Sequence, residues 1–205
     1  MRLAALCRTR SLRCGSAAPL LPQVLAQMRL ALPQVQVELV VSNAVSNLLR
    51  REAYIAVRMV APDQTTVIAK RIGKVTLGIY AHRNYLRRRG APKQAQDLAS
   101  HALVGYDRDR AIINGFAAFG MPVERENFAL RTDDLIAYQE AIRAGLGIGF
   151  LADYVARVDA NLVPILPAIK LPPIPVWLAV HREIRTSQRI RQVFDFLAGA
   201  VPAAL

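Results

Sequence analysis

Residues 131–155 read RTDDLIAYQEAIRAGLGIGFLADYV and carry the clearest secondary-structure signal in the chain. The first half has two acidic residues, Asp133 and Asp134, which suit the positive end of a helix dipole, and it continues with apolar residues at helical spacing. It predicts a helix over 133–144. The second half, GIGFL at 147–151, is short and apolar and predicts a buried strand. The stretch therefore indicates a helix followed directly by a strand.

Three glycines stand at alternate positions in this stretch, Gly145, Gly147 and Gly149. Glycine-rich loops bind phosphates where they leave a strand and open a helix. Here the spacing is G-x-G-x-G and the glycines follow a helix and enter a strand, which is the reverse order. We therefore predict that Gly145 ends the helix with a positive φ and that Gly147 and Gly149 allow close packing of the strand.

The same alternation of helix and strand extends outward in both directions. Predicted strands cover 2–7, 35–42, 54–60, 75–82, 101–106, 128–132, 147–151 and 176–181. Predicted helices cover 20–32, 43–52, 85–89, 110–119, 133–144 and 188–201. The predicted N-caps of four of these helices are Asn43, Asn84, Asp109 and either Thr186 or Ser187. Such alternation is typical of βαβ units and predicts parallel sheets.

The charge of the 205-residue chain is strongly positive, at +12, from 27 Lys plus Arg against 15 Asp plus Glu. Only four of the cations are lysines, the arginines are scattered, and the densest cluster, YLRRRG at 85–90, is typical of a short helix end. Aromatic and basic residues do not interleave as on a single-strand-binding surface. The charge therefore favours attraction of small anions, or a role in solubility alone, over direct nucleic-acid binding. The apolar runs are too short for a membrane helix, so we expect no membrane association.

Motifs of catalysis and metal binding are missing from the sequence. Cys7 and Cys14 are expected to be reduced thiols, and with the scattered histidines they show no zinc spacing. No G-x-S-x-G elbow occurs, and the adjacent Asp133 and Asp134 fit helix capping better than acid/base catalysis. We therefore predict no enzyme activity, no catalytic residues, no metal and no cofactor.

Several stretches, taken in order, resemble one family. They are LLPQVLAQMRLALPQVQVELV, LLRREAYIAVRM, IGKVTLGIYAHRNYLRRRGAP, the stretch at 131–155 and VWLAVHREIRTSQRIRQVFDFL. Together they resemble the effector-binding domain of LysR-type transcriptional regulators over about residues 16–198. One departure is Tyr54, where the family commonly has Asp before I-A-V-R. Another is that no winged helix-turn-helix can be placed in residues 1–20, so we expect DNA contact only through a separate domain.

The resemblance implies an α/β fold with two Rossmann-like lobes joined by two crossing strands, like the type 2 periplasmic binding proteins. The whole chain, 1–205, would be one effector-binding domain. Lobe I would comprise 1–75 and 173–205, and lobe II would comprise 76–172. The crossing strands would be VTLGIYAH and VWLAVH, which would place His82 and His181 side by side. A metal held by this pair lacks a third ligand, so solvated strand ends are the preferred interpretation.

The expected binding site lies where parallel strands end and helices begin, since ligands of open α/β sheets sit there. Polar residues predicted at these ends are Ser16, Ser42, Asn43, Arg58, Tyr106 and Thr132. Arg58 ends the strand IAVR and would supply a bidentate clamp for a carboxylate. The alternative for the serine, threonine and asparagine is that they only cap helices.

The predicted function is a cytoplasmic, ligand-sensing regulatory domain that binds a small anionic or polar effector between its lobes. The resemblance also implies a homodimer in which helix 20–32 packs antiparallel on helix 134–144 of the partner. A periplasmic-type solute-binding protein is the first alternative, but it would need an export signal, and residues 1–20 lack a proper apolar core for one. An enzyme on a related fold is the second, and it would need a covalent lysine or cysteine or a metal cluster.

Overall fold

The structure of the chain is a computed structural model that describes residues 2–6, 17–42, 54–61, 66–108, 111–118, 123–184 and 186–205. The chain divides into two compact units. The described residues up to Val75 and from Pro173 onward form unit 1, and those within Thr76–Pro172 form unit 2. The chain therefore enters unit 2 after Val75 and returns to unit 1 after Pro172.

Strands and helices alternate along the described residues. The strands are β1 (Arg2–Leu6), β2 (Glu38–Ser42), β3 (Ile55–Arg58), β4 (Val67–Val75), β5 (Leu77–His82), β6 (Leu103–Gly105), β7 (Phe128–Arg131), β8 (Ile148–Ala152), β9 (Leu162–Ile165) and β10 (Ile174–His181). The α-helices are α1 (Ala17–Ala31), α2 (Arg83–Arg89), α3 (Ala111–Ala118), α4 (Leu135–Arg143), α5 (Asp153–Ala156) and α6 (Gln188–Ala204).

Each unit is built around one five-stranded sheet. The order is β2-β1-β3-β10-β4 in unit 1 and β7-β6-β8-β5-β9 in unit 2. The first three strands of each sheet are parallel, and the fourth runs antiparallel to both of its neighbours. The predicted parallel direction is therefore correct for the first three strands of each sheet and wrong for the fourth strand. The fourth strand is the one that the chain reaches on entering the unit, so it arrives without the helical crossover that imposes parallel direction.

Two strands that we did not predict, β4 and β9, lie at sheet edges. The exposed residues Lys70, Arg71 and Lys74 interrupt the apolar pattern of β4, and charges of this kind are typical of edge strands. Pro164 lies within β9, where a residue without an N–H is tolerated because one side of the strand has no neighbour. The predicted strand VTLGIYAH is also divided at Thr76, between β4 and β5.

The core of unit 1 includes the apolar faces of α1 and α6. The residues of α1 that are buried are Leu20, Leu21, Val24 and Met28, and those of α6 are Ile190, Val193, Leu197 and Val201. Apart from the adjacent Leu20 and Leu21, both sets recur at intervals of three or four residues, as an amphipathic helix requires. Leu25 of α1 is only half-buried, and so is Leu32, which lies beyond the end of the helix.

Helix starts were predicted with mixed success. Asp134 caps α4 as expected, since its Oδ1 accepts a hydrogen bond of 2.8 Å from Ala137 N–H, and Ser187 occupies the N-cap position of α6. Asn84 was the wrong residue for α2. The N-cap is His82, whose Nδ1 accepts from Asn84 N–H at 3.0 Å. Imidazole nitrogen is a less usual cap than an amide oxygen, so the sequence pattern favoured asparagine. The predicted helix 43–52 and the caps Asn43 and Asp109 lie outside the described residues.

The three glycines of the opening stretch serve the packing of unit 2, as predicted. Gly145 follows α4 with a φ of +74°, a conformation that glycine adopts without strain. A Cβ at Gly147 would collide with the carbonyl group of Ala102, and one at Gly149 would collide with the side chain of Ile142. The strand β8 can therefore lie close to its neighbours only because these positions lack side chains.

Candidate functional site

The polar residues of unit 1 meet at one edge of its sheet, where the parallel strands end. Ser42 ends β2 and is in register with Leu6, which is in register with Arg58 at the end of β3. These positions form one row, so the backbone brings Ser42 and Arg58 to the same edge. Ser16 and Asn43, which were also predicted here, lie outside the described residues.

Arg58 is a buried cation in this row, with only 5% of its surface exposed. It lies directly opposite Trp177 on the antiparallel strand β10, so the two side chains share a face of the sheet. Arg71 of β4 is the partner of Trp177 on its other side, next to an irregularity in the β4–β10 register. In this row, Trp177 therefore lies between Arg58 and Arg71.

The indole N–H of Trp177 is a buried hydrogen-bond donor. Its Nε1 is buried and has no hydrogen-bond partner in the part of the chain that the structure describes. A buried donor without a partner costs about 1–3 kcal/mol. Sequence reasoning missed Trp177 because it lies inside an apolar strand, where tryptophan fits the core equally well. Trp177 is identified as a site residue by its pairing with Arg58 across the sheet. Sequence periodicity does not contain this pairing.

In unit 2, the structure brings two further predicted residues to one edge. Thr132 N–H donates to the carbonyl oxygen of Gly105 at 3.0 Å, which holds Thr132 beside Tyr106, the residue after Gly105. The Oγ1 of Thr132 accepts a hydrogen bond of 3.1 Å from Asp134 N–H. Thr132 thus helps to shape the start of α4, as the capping alternative proposed, while its side chain stays half-exposed at the carboxyl end of β7.

Tyr106 is more deeply packed than we predicted, with 7% of its surface exposed. Its ring stacks on that of Tyr138, with the ring centroids 4.8 Å apart and the planes inclined by 26°. The Tyr138 hydroxyl accepts from Phe150 N–H at 2.7 Å and donates to Phe150 C=O at 3.1 Å. Phe150 is itself in edge contact with Phe116. Tyr106 therefore belongs to an aromatic cluster, which reduces how much of it a ligand can reach.

The acidic residues near this edge pair with arginines. Asp107 accepts from Arg125 at 2.7 Å and lies 3.4 Å from Arg131, and Asp133 lies 3.5 Å from Arg108. Asp133 also accepts from the backbone N–H of Arg108. These contacts give Asp133 a structural role, and Asp134 caps α4.

The basic cluster 85–90 and the histidines at strand ends are also engaged within the fold. Arg88 and Arg89 of α2 donate to the backbone carbonyls of Gly145 and Ser100. His82 ends β5 of unit 2, and His181 ends β10 of unit 1. Nδ1 of His181 accepts from Glu183 N–H. Within the described ranges, no group of three or more His, Cys, Asp or Glu residues is arranged to hold a metal ion.

Comparison with known proteins identifies the family of this chain. The profile of the LysR substrate binding domain matches residues 12–202, so the chain belongs to this family. The HTH-type transcriptional regulator YhjC of Escherichia coli (strain K12) is 27% identical over 199 residues, which cover 91% of this chain and 65% of YhjC. The regulator CrgA of Neisseria meningitidis serogroup C (strain 8013) is 26% identical over 198 residues with the same coverage. The chain thus spans 65% of the length of these relatives.

Several solved structures of regulatory domains have the same fold as this chain. The regulatory domain of CrgA from Neisseria meningitidis superposes with a TM-score of 0.82 at 20% identity, covering 98% of both chains. The regulatory domain of AphB in Vibrio vulnificus gives 0.71 at 19% identity, covering 96% of both. The regulatory domain of CcmR from Synechocystis PCC6803, in complex with 2-PG, gives 0.73 at 17% identity, covering 98% of this chain and 96% of that one. These likenesses confirm the predicted α/β class of the periplasmic-binding-protein type.

The helices within the described ranges are all too short or too polar to cross a membrane.

Proposed function

We propose that this chain is the ligand-sensing regulatory domain of a LysR-type transcriptional regulator and that it binds a small polar or anionic effector. The observation that carries the proposal is the pairing of Arg58 with Trp177 at the carboxyl end of β3. A buried guanidinium beside a buried indole N–H offers donors to the oxygens of a carboxylate or phosphate. An effector oxygen that accepts from Trp177 would remove the cost of its unmade hydrogen bond.

The effector contacts that we propose include residues of both lobes. Unit 1 contributes the predicted residues Ser16, Ser42, Asn43 and Arg58, to which we add Trp177. Unit 2 contributes Thr132 and Tyr106. Ligands of α/β sheets bind at the carboxyl ends of strands, and Ser42, Arg58 and Thr132 all lie at or just beyond such ends. The burial of Tyr106 supports only a minor contact from it.

The relatives support a regulatory role. YhjC and CrgA are transcriptional regulators by name, and CcmR was solved with 2-PG bound to its regulatory domain. By analogy, we propose that this domain senses a ligand in the cytoplasm, performs no catalysis itself, and reaches DNA through a separate helix-turn-helix domain. Binding would shift the population between two arrangements of lobes and subunits, and the difference in ligand affinity between them would drive the change.

A homodimer is part of this proposal. Helix 20–32 of one subunit would pack antiparallel on helix 134–144 of its partner. Two large apolar side chains support this arrangement, because Leu30 on α1 is 86% exposed and Ile136 on α4 is 65% exposed. Burial of each of these side chains against a partner would contribute about 1.5–3 kcal/mol to the stability of the dimer.

A thermal-shift screen tests the proposal. The purified chain would be melted with a panel of small carboxylates and phosphates that includes 2-PG, together with matched amines and alcohols. We expect at least one anion to raise the Tm by several degrees, since ligand at 100 times its Kd stabilises by about 2.7 kcal/mol. The rise should vanish in Arg58→Gln and persist in Lys74→Gln, which removes an exposed cation of β4. Stabilisation only by amines, or equal loss in both variants, would overturn the proposal.

A further inference from the structure

Unit 1 contains a cavity away from the residues discussed so far. It has a volume of about 590 Å³ and lies between α6 and the strands β4 and β10. Its apolar wall consists of Ile68, Val180, Ile190 and Phe194. Pockets that hold small molecules commonly have volumes of about 300–1,000 Å³ and mostly apolar walls with a few polar groups. The cavity lies within this size range, and apolar residues make up half of its lining, with Thr186 and three charged residues forming the rest.

The pairing register separates this cavity from the proposed effector site. Val180 is paired with Ile55, at the start of β3, whereas Trp177 is paired with Arg58, at its end. The three-residue offset along β10 corresponds to about 10 Å. Because successive side chains of a strand alternate between faces, Val180 and Trp177 also point to opposite faces of the sheet. A ligand in the cavity would thus bind on the other face and toward the other end of β3.

The rim of the cavity is charged. Arg182 follows β10, and Arg191 and Asp195 lie one turn apart on α6. Within the described part of the chain, neither Arg191 nor Asp195 forms an ion pair, and both are exposed. Among the described residues that line the cavity, the two arginines outnumber the single aspartate. This balance favours a ligand with a single negative charge over a dianion, which Asp195 would repel.

We propose that this cavity is a second ligand site and that it binds a small amphipathic monocarboxylate. The apolar body of the ligand would lie against Phe194, Ile190 and Val180. Its carboxylate would accept hydrogen bonds from Arg191 and Arg182 at the rim, because the planar guanidinium fork matches carboxylate geometry. The ligand would join α6 to β4 and β10, and it would thereby stabilise unit 1 independently of any effector bound near Arg58.

Titration calorimetry with sodium octanoate on the full chain tests this assignment. We expect one octanoate per chain, and we expect octylammonium, which has the same tail and the opposite charge, not to bind. Arg191→Glu should weaken octanoate binding about tenfold or more, because a charge-assisted hydrogen bond is replaced by repulsion. Arg189→Glu is the matched control, because it makes the same charge change on the same helix at a residue that does not line the cavity. It should change the Kd for octanoate by less than about twofold.

Three further variants test the rim charge, the apolar wall and the independence of the cavity from Arg58. Asp195→Asn should tighten octanoate binding about two- to fivefold, since a repulsive charge is removed. Phe194→Ala should weaken binding through loss of apolar contact, and Arg58→Gln should leave it unchanged. Circular dichroism would verify that each variant is folded. The proposal is overturned if octanoate binds more weakly than about 10 mM, if Arg191→Glu and Arg189→Glu weaken it equally, or if Arg58→Gln abolishes it.

Discussion

Arg58 and Trp177 face each other across the antiparallel pair of β3 and β10, on one side of the unit 1 sheet. The guanidinium is buried and the neighbouring indole N–H has no hydrogen-bond partner within the described part of the chain. An apolar ligand would leave both groups without new partners, whereas an oxyanion would accept hydrogen bonds from them. The pair therefore favours a polar or anionic effector on chemical grounds that do not depend on family membership.

The hydroxyl of Tyr138 joins α4 to β8, and its removal tests how unit 2 is held together. It bonds both the N–H and the C=O of Phe150. Tyr138→Phe leaves these backbone groups without this partner and should lower the free energy of unfolding by about 1–3 kcal/mol. Denaturant unfolding measures this loss. Tyr54→Phe, at a residue that is 38% exposed, is the control and should change it by less than about 0.5 kcal/mol. Equal effects of the two substitutions would contradict the assigned role.

The pair Tyr85–His101 predicts a pH dependence of stability. The Tyr85 hydroxyl accepts from Ala102 N–H at 2.9 Å and lies 3.0 Å from Nδ1 of His101, to which it can donate its proton when Nδ1 carries none. Burial, and then the Arg89 guanidinium, lower the pKa of His101 below 6.5, although Asp97 acts in the opposite direction. The unfolded chain therefore binds the proton more tightly. The stabilising contribution is complete above about pH 6.5 and is lost as the pH falls through the lowered pKa.

Denaturant unfolding at about pH 7.5 and about pH 5.5 measures this effect. We expect the wild-type chain to lose more stability over this interval than His101→Phe. His181→Phe removes a histidine of unit 1 and should retain the wild-type pH dependence. If His101→Phe shows the same loss as the wild type, the hydrogen bond to Tyr85 does not depend on a neutral imidazole.

Two glycines should respond to alanine in opposite directions. A Cβ at Gly147 would meet the backbone of Ala102, which cannot move aside easily, so Gly147→Ala should destabilise by about 1–3 kcal/mol. A Cβ at Gly199, in α6, would meet nothing within 4 Å. Gly199→Ala should therefore stabilise by about 0.5–1 kcal/mol, because alanine loses less entropy in a helix. Thermal unfolding of both variants measures the contrast, and a stable Gly147→Ala variant would refute the close approach of β8.

The exposed apolar residues on α1 and α4 should control the oligomeric state. Leu30→Glu and Ile136→Glu each place a charge in the proposed interface and should shift the chain from dimer to monomer, as measured by light scattering during gel filtration. Val158→Glu alters a residue of unit 2 that is 71% exposed and that the proposed interface leaves out. It should leave the molar mass unchanged. A wild-type monomer, or dissociation by all three substitutions, would contradict the proposed pairing of helices.

The sequence predicted those parts of the fold that depend on local pattern. The buried faces of α1, α4 and α6 follow helical spacing, and β3 and β8 are short apolar runs between polar or turn residues. It did not predict β4 or β9, because edge strands carry charges or proline that resemble loop sequence. Strand direction was also missed, since the entry of β10 and β5 from the other unit is a property of the chain path.

The candidate site shows the same limit. Arg58 and Thr132 were found because each lies at or just after the end of a strand, where polar residues stand out against apolar sequence. Trp177 was missed because its importance comes from its register with Arg58. The stacking of Tyr106 on Tyr138 joins residues 32 positions apart and has no local signature. Contacts between distant residues, which depend on tertiary packing, are what the sequence pattern does not contain.

Trp177 is the single tryptophan of the chain, so its indole N–H gives one resonance in a nitrogen–proton correlation spectrum. Titration of the isotope-labelled chain with an anion that raises its Tm tests the central claim most directly. We predict that this resonance shifts in a saturable manner and that Arg58→Gln abolishes the shift and weakens binding by about tenfold or more. Saturable binding that leaves the indole resonance unmoved, with equal affinity in Arg58→Gln, would contradict the assignment of this edge of unit 1 as the effector site.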